Sequence, residues 1–210
     1  MEFTDSDLVF HMEVYKGYFD ITRWCLGRIR SCYPTARIVL VSDGDPDPRY
    51  KEFLSFGIEL EYGEHLYSGE LSGPLWIRRF ENYLRKPAKY LIRTDSDVGF
   101  YRRFHQLPQS KCIFGTPCGE FIQGGILGIT HDAILGIMSS GLLKESRMRG
   151  FSHEANGVWM ASDDAALGWV ARVLGIPMVS HPEFHSTWQL PVPNYALRYA
   201  VMHPCKNGSL

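Results

Sequence analysis

The sequence predicts an α/β domain built on a central mixed, mostly parallel β-sheet flanked by helices, and three observations carry that prediction. Strand, helix and strand follow one another over Asp7–Met12, Gly17–Arg30 and Ala36–Ser42, the spacing of a right-handed βαβ unit. A short apolar run, Lys89–Thr94, follows the breaker pair Lys86-Pro87 and ends in Asp95-Ser96-Asp97, as a buried strand does when it delivers polar groups to a sheet's carboxyl edge. Extended and helical stretches then alternate toward the C-terminus, with no repeat, linker or low-complexity run. The 210 residues suit one domain with a sizeable core.

The first strand sets His11 near its carboxyl end, as a nucleotide contact or as a structural histidine. In the helix that follows, Ile21, Trp24, Cys25 and Ile29 share one face, and Tyr33-Pro34 ends it. Ala36–Ser42 is the clearest strand of the chain. It brings Asp43 to the same edge, as a base or ribose contact or as the start of the turn through Pro48. That turn is not a calcium loop, since Pro48 stands where the loop needs glycine and Leu54 where it needs a bidentate glutamate. Gly57–Tyr62 reads as a strand and Pro74–Arg85 as a helix with Ile77, Phe80 and Leu84 on one face. Arg78 and Arg79 on that helix suit a nucleotide phosphate, or else a solvated face.

Cys112–Thr116 and Glu120–Thr130 are extended, and Gly124-Gly125 inside the second implies a close approach to the backbone. At a ligand edge the approaching group could be a sugar ring; simple packing is the other reading. His131–Met138 is helical and Ser139-Ser140-Gly141 breaks it. Glu145–Gly157 has mixed charge and no period, and is expected to be a mobile loop serving as a lid or acceptor-binding segment. Ser162-Asp163-Asp164 opens a helix that buries Leu167, Val170, Ala171 and Leu174. Its two acids either answer the helix dipole or supply a general base, although the dipole that stabilises a carboxylate also lowers its basicity. Met178–Ser180, Glu183–Trp188 and Tyr199–His203 complete the strands, with His181 and His185 on or beside them.

A net charge of −1 argues against nucleic acid as the main partner, because no basic excess exists to neutralise phosphates. Five cysteines without a Cys-x-x-Cys pair indicate neither a zinc ribbon nor a disulfide framework. The polar, acidic start lacks the features of a signal peptide and no apolar stretch is long enough to span a bilayer, so a cytoplasmic protein without membrane insertion is expected.

The chemistry centres on Asp95 and Asp97. Two hard oxygen ligands so close in sequence suit Mg²⁺ or Mn²⁺, which completes its coordination with water and phosphate oxygens. The pair implies a site for a metal and a diphosphate, with Asp95 and Ser96 among the donor contacts; the other reading is that the acids solvate a turn or cap the next segment.

The order of these parts resembles the GT-A fold glycosyltransferases, which use nucleotide-sugar donors and a Rossmann-like domain. The resemblance implies a nucleotide-binding half over residues 1–97 and an acceptor and catalytic half over 98–210. The stretch Ser162-Asp163-Asp164-Ala165-Ala166-Leu167-Gly168, with Leu174-Gly175-Ile176-Pro177 and Phe184-His185-Ser186, is similar to Fringe-like inverting transferases, where the second acid is the base. That role falls on Asp164, with Asp163 beside it. The second histidine of that pattern is replaced by Thr187, whereas Val201-Met202-His203-Pro204-Cys205-Lys206 resembles the C-terminal strand of several GT-A enzymes. There a histidine completes the metal site and a lysine touches the diphosphate. The implied ligands are Asp95, Asp97 and His203, with His185 as alternate, and Lys206 is the implied diphosphate contact. The compact size is similar to the stand-alone glycosyltransferases of large algal viruses.

These readings imply transfer of a hexose from a UDP-sugar, UDP-glucose first, to a glycan or glycoprotein acceptor, with inversion if Asp164 is the base and a retaining route open if it only caps the helix. Three rivals are a haloacid dehalogenase-type phosphatase, a sugar nucleotidyltransferase and a non-catalytic nucleotide- or glycan-binding module. The first expects Thr or Val where Gly99 stands, and the second needs a Gly-rich loop where Leu8–Tyr18 offers only Gly17. Tyr62, Tyr67, Trp76, Trp159, Trp169 and Trp188 are the aromatic faces available for stacking, and Trp159, just ahead of the acid pair, is the candidate for the acceptor site.

Overall fold

Side-chain alternation along the strands divides the interior into two cores, one on each face of a seven-stranded sheet. The structure, a computed structural model, describes residues 3–44, 47–66, 71–155, 158–186 and 199–203, the side chains of 152–161 excepted. The first half supplies β1 (Leu8–Val14), α1 (Phe19–Cys32), β2 (Arg37–Asp43), a 3₁₀ segment (Pro48–Phe56), β3 (Glu59–Gly63), α2 (Ser72–Leu84) and β4 (Tyr90–Thr94). The second half adds β5 (Gly99–Phe100), β6 (Ile113–Cys118), β7 (Phe121–Thr130), α3 (His131–Ser140), β8 (Ser152–Ala155) and β9 (Val158–Ala161). It ends with α4 (Asp163–Val173), β10 (Met178–Ser180), β11 (Phe184–Ser186) and β12 (Val201–His203).

The main sheet has the order β10-β6-β7-β4-β1-β2-β3. The β4-β1-β2-β3 side is parallel, and β7 enters antiparallel to both β4 and β6. Leu8, Phe10, Met12 and Val14 alternate with Val9, His11 and Glu13 along β1. The first set packs with Cys25, Leu26 and Ile29 of α1. Val9 joins Trp76 and Phe80 of α2, Ile134 of α3 and Leu167 of α4 on the opposite face. Complete burial of such side chains contributes about 1.5–3 kcal/mol each, so this two-sided burial fixes the register of β1.

Three details position the site. Thr94 pairs with Ile126, and the Asp95 N–H donates to the Gly125 carbonyl at 2.9 Å, which carries the β4–β7 ladder into the acidic turn. A small second sheet, β11-β12-β5, pairs Met202 with Gly99 and Ser186 with His203. Ser162 caps α4 by accepting from the Ala165 N–H at 3.2 Å, which fixes the first turn that carries Asp163 and Asp164.

Several expectations are corrected. His11 lies in mid-strand, because β1 continues to Val14. Glu145–Gly157 is not an unstructured loop over its described residues: a 3₁₀ turn, Ser146–Arg149, buries Met148, and β8 pairs with β9 as a hairpin. The 3₁₀ segment after Asp47 has no regular apolar period to announce it; Pro48 starts it and Gly57, at φ 67°, ends it. The strand expected over Glu183–Trp188 is Phe184–Ser186, and residues 187–188 lie outside the described part. Among the described residues, no helix is long and apolar enough to cross a membrane.

Candidate active site

Asp95, Asp97 and His203 come together where β4 ends. Val98 and Phe100, fully buried, anchor the exit of the acidic turn, and β5 then pairs antiparallel with β12. Because Met202 faces Gly99, the next residue, His203, falls beside the turn. Its Nε2 stands 3.2 Å from Asp97 Oδ1 and 3.4 Å from Asp95 Oδ2, and one ligand atom from each residue lies within 4.8 Å of the others. The remaining oxygen of Asp95 pairs with Arg93 at 2.9 Å, leaving Oδ2 to the cluster. Ser186, opposite His203 in the β11–β12 register, meets its Nδ1 at 3.2 Å. With Nδ1–H donated to that hydroxyl, Nε2 is the nitrogen left to ligate. Two carboxylates and an oriented imidazole are a ligand set that fits a divalent cation.

Asp164 arrives from the other side of β7. Successive positions of a strand face opposite ways, so Gly124 and Gly125 admit two different groups. A Cβ on Gly124 would overlap the Asp164 carboxylate, and one on Gly125 would overlap the His203 ring. The approaching groups that the glycine pair accommodates in this structure are thus two side chains of the protein itself. The Gly124 N–H donates to Asp164 Oδ2 at 2.7 Å, while Oδ1 is sealed from solvent without a hydrogen-bond partner among the described residues. Burial, then the neighbouring charge of Asp163, pushes the Asp164 carboxyl up to about 8, against the opposing pull of Arg93. The expected dipole effect is therefore outweighed: Asp164 is a stronger base than an ordinary carboxylate.

Asp163 behaves oppositely. Burial alone would raise it, but Arg79, with its guanidinium 2.6 Å away, and then Arg93 hold it below the usual carboxylate range. Arg79 is wholly buried and also reaches Glu13 at 3.2 Å, and Trp76 donates its indole N–H to the Asp163 carbonyl at 2.7 Å. Arg79 is thus committed to an internal network and is corrected as a phosphate contact. Arg78 continues the network to Glu13 at 3.1 Å and to Asp43 at 2.6 Å. Asp43 is buried, pairs with His65 at 2.8 Å and accepts from the Leu66 N–H at 2.9 Å. His11 is fully buried below this network, 3.5 Å from Asn82. Burial, and then the charges of Arg79, Arg78 and Arg93, keep it well below its ordinary pKa, so it is a neutral core residue and not a nucleotide contact.

The structure does not bring His185 to the cluster. It alternates with Ser186 along β11, and its ring stacks on Tyr199 at 4.6 Å between centroids. Ser96 is buried inside the acidic turn. Lys206, Tyr67 and Trp188 lie outside the described residues, as does the side chain of Trp159 on β9. Trp76 is core, Trp169 lies under the Arg147 guanidinium, and Tyr62 is exposed at the end of β3. Glu13, Arg93 and Ser186 escaped the sequence reading. For the first two a signal existed: a charge within an apolar strand requires a buried partner.

No family model and no curated protein matches this chain.

Proposed function

We propose that the chain is a metal-dependent glycosyltransferase that moves a hexose from a UDP-sugar to an acceptor hydroxyl with inversion. What supports this reading is the convergence, on two adjacent glycines, of a carboxylate–carboxylate–imidazole cluster and a separate carboxyl of raised basicity. Asp95, Asp97 and His203 would hold the cation, which when bound neutralises charge on the departing diphosphate. Asp164 takes the proton of the acceptor hydroxyl, whose oxygen forms the new bond to the anomeric carbon. The bond from that carbon to the phosphate oxygen breaks, and its electron pair leaves with UDP. Attack from the face opposite the leaving group inverts the configuration. Arg79 and Asp163 hold the first turn of α4 so that Asp164 keeps its place over Gly124.

The test is calorimetric titration of wild type and Asp97→Ala with UDP, with and without Mn²⁺, alongside a transfer assay on Asp164→Asn. Metal-dependent UDP binding lost in Asp97→Ala, with transfer lost but UDP binding kept in Asp164→Asn, is expected. A folded wild type that does not bind UDP with Mn²⁺ would overturn the UDP reading, and UDP binding without any transfer across a panel of UDP-hexoses and glycan acceptors would identify a binding module.

A further inference from the structure

At neutral pH Asp164 still holds the proton that a general base must lack, because burial and then the charge of Asp163 push its carboxyl up to about 8. Among the charges that bear on it, Arg93 is the first to pull the other way.

Arg93 stands between the two acidic regions. It shares a strand face with Leu91, which packs into the core with α2 and α4, and its side chain is only 4% exposed. From there the guanidinium pairs at 2.9 Å with Oδ1 of Asp95, a member of the cation cluster. Asp164 Oδ2 accepts from the Gly124 N–H at 2.7 Å, and Oδ1 is sealed without a hydrogen-bond partner among the described residues. The next residue, Gly125, accepts from the Asp95 N–H at 2.9 Å, so both acids are attached to the same short piece of β7. Among the described residues, the charged groups that bear on Asp164 are Asp163 of α4, Arg79 of α2, and Arg93 and Asp95 of β4, while β7 brings only glycine. Arg79 is tied to Asp163 at 2.6 Å and to Glu13 of β1 at 3.2 Å. His11 of β1 is neutral, since burial and the neighbouring arginines keep it well below its ordinary pKa. Arg93 differs from Arg79 in that its carboxylate partner is itself a candidate cation ligand.

We propose that Arg93 is a positioning residue that couples the cation cluster to the base, an inference that rests on the metal-dependent reading of the site. Without a cation, Arg93 and Asp95 largely offset one another as felt at Asp164, and the proton stays on its carboxyl. With a cation held by Asp95, the Asp95 charge is compensated and the guanidinium acts on Asp164 unopposed. The Asp164 carboxyl then gives its proton to solvent and becomes the carboxylate that the acceptor hydroxyl needs. The coupling is reciprocal, so an ionised Asp164 favours cation binding. The base stays protonated until the donor side of the site is loaded.

The probe is Mn²⁺ alone, titrated calorimetrically into the full chain at pH 7.5 in two buffers of different ionisation enthalpy. The comparison counts the protons released per cation and needs no donor, acceptor or transfer. Wild type is expected to release about half a proton or more, and Asp164→Asn to lose that release while still binding Mn²⁺. Arg93→Met is expected to lose most of it, because Asp164 then holds its proton too firmly at this pH, and Arg93→Lys, which keeps the charge, to restore it. If Arg93→Met does not fold, Arg93→Gln, which keeps a hydrogen-bond donor for Asp95, serves in its place. In a transfer assay the acid limb of the rate profile should move to higher pH in Arg93→Met and return in Arg93→Lys, whereas a purely structural role would lower the rate equally at every pH. A proton release that Asp164→Asn leaves unchanged, or that survives in folded Arg93→Met, overturns the coupling and leaves the cation cluster standing. A folded wild type that does not bind Mn²⁺ overturns the metal-dependent reading, and the coupling with it.

Discussion

Two acidic regions meet across Gly124-Gly125, and they treat the same residue type in opposite ways. In the turn after β4, Asp95 and Asp97 stay partly accessible, share an imidazole and face outward from the sheet edge. At the start of α4, Asp163 is locked to a buried arginine, and Asp164 is left with one backbone N–H and a sealed oxygen. The first arrangement leaves two carboxylates and an imidazole open toward a common point, as a cation would need. The second splits a pair of neighbours into a fixed charge and a proton acceptor, which is how environments assign acid and base roles to identical groups.

The sharpest way to break this comparison is to neutralise one acid in each region. Asp164→Asn is expected to lower transfer by about 10²–10⁴-fold, the usual range for a lost general base, with Mn²⁺-dependent UDP binding kept. Asp97→Asn should instead lose the metal-dependent binding itself, and its thermal stability should not fall, because it removes one of two neighbouring negative charges. If Asp164→Asn transfers at the wild-type rate, Asp164 is only part of the helix start.

Arg79→Met tests the buried side alone. Removing the guanidinium leaves Glu13 and Asp163 without their shared cation inside the protein, a loss of about 3–5 kcal/mol for breaking a buried pair. For a chain of this size that is a fall in melting temperature of roughly 6–20 °C, read by calorimetry. Arg78→Met, on the more accessible arginine of the same network, should cost less. Equal effects would mean that the network's inner and outer halves are not distinguished by burial.

A smaller effect separates the two neighbours by sign. Asp163 has a lowered folded pKa, so its stabilisation is present above the ordinary carboxylate range and is lost as pH falls through the folded value. Asp164 has a raised one, so its contribution is complete below the ordinary range, near 3.8, and declines as pH rises toward about 8. In metal-free protein the melting temperature should therefore drift downward over that interval, and Asp164→Asn should flatten the drift. An unchanged drift in the variant would place the proton elsewhere.

The sequence made one side of this comparison more legible than the other. An apolar strand ending in Asp-Ser-Asp states both its edge and its acids locally, and Ser162 with two acids after it states a helix start. Partners that lie far apart in the chain leave no such mark. Arg79 reads as a surface arginine because Asp163 is 84 residues away, and the antiparallel entry of β7, which sets the glycine pair between both regions, is decided only when the sheet assembles. The polar stretch after Glu145 hid its structure, because its 3₁₀ turn buries a single residue, Met148, which has no periodic company, and the hairpin after it shows no apolar alternation in sequence.

Ser186 gives the finest test, since it touches His203 and neither acid. Its hydroxyl fixes which ring nitrogen faces the cluster, and removal of such an orienting partner usually weakens metal binding by about 10–100-fold. As it removes a single 3.2 Å hydrogen bond, Ser186→Ala belongs at the lower end, about tenfold in Mn²⁺ affinity. Ser186→Thr, which keeps the hydroxyl on the same strand, should restore most of it. Loss in both variants would point to packing between β11 and β12 as the cause, whereas no loss in either would mean that the space left by Gly125, and not the hydrogen bond, holds the imidazole in place.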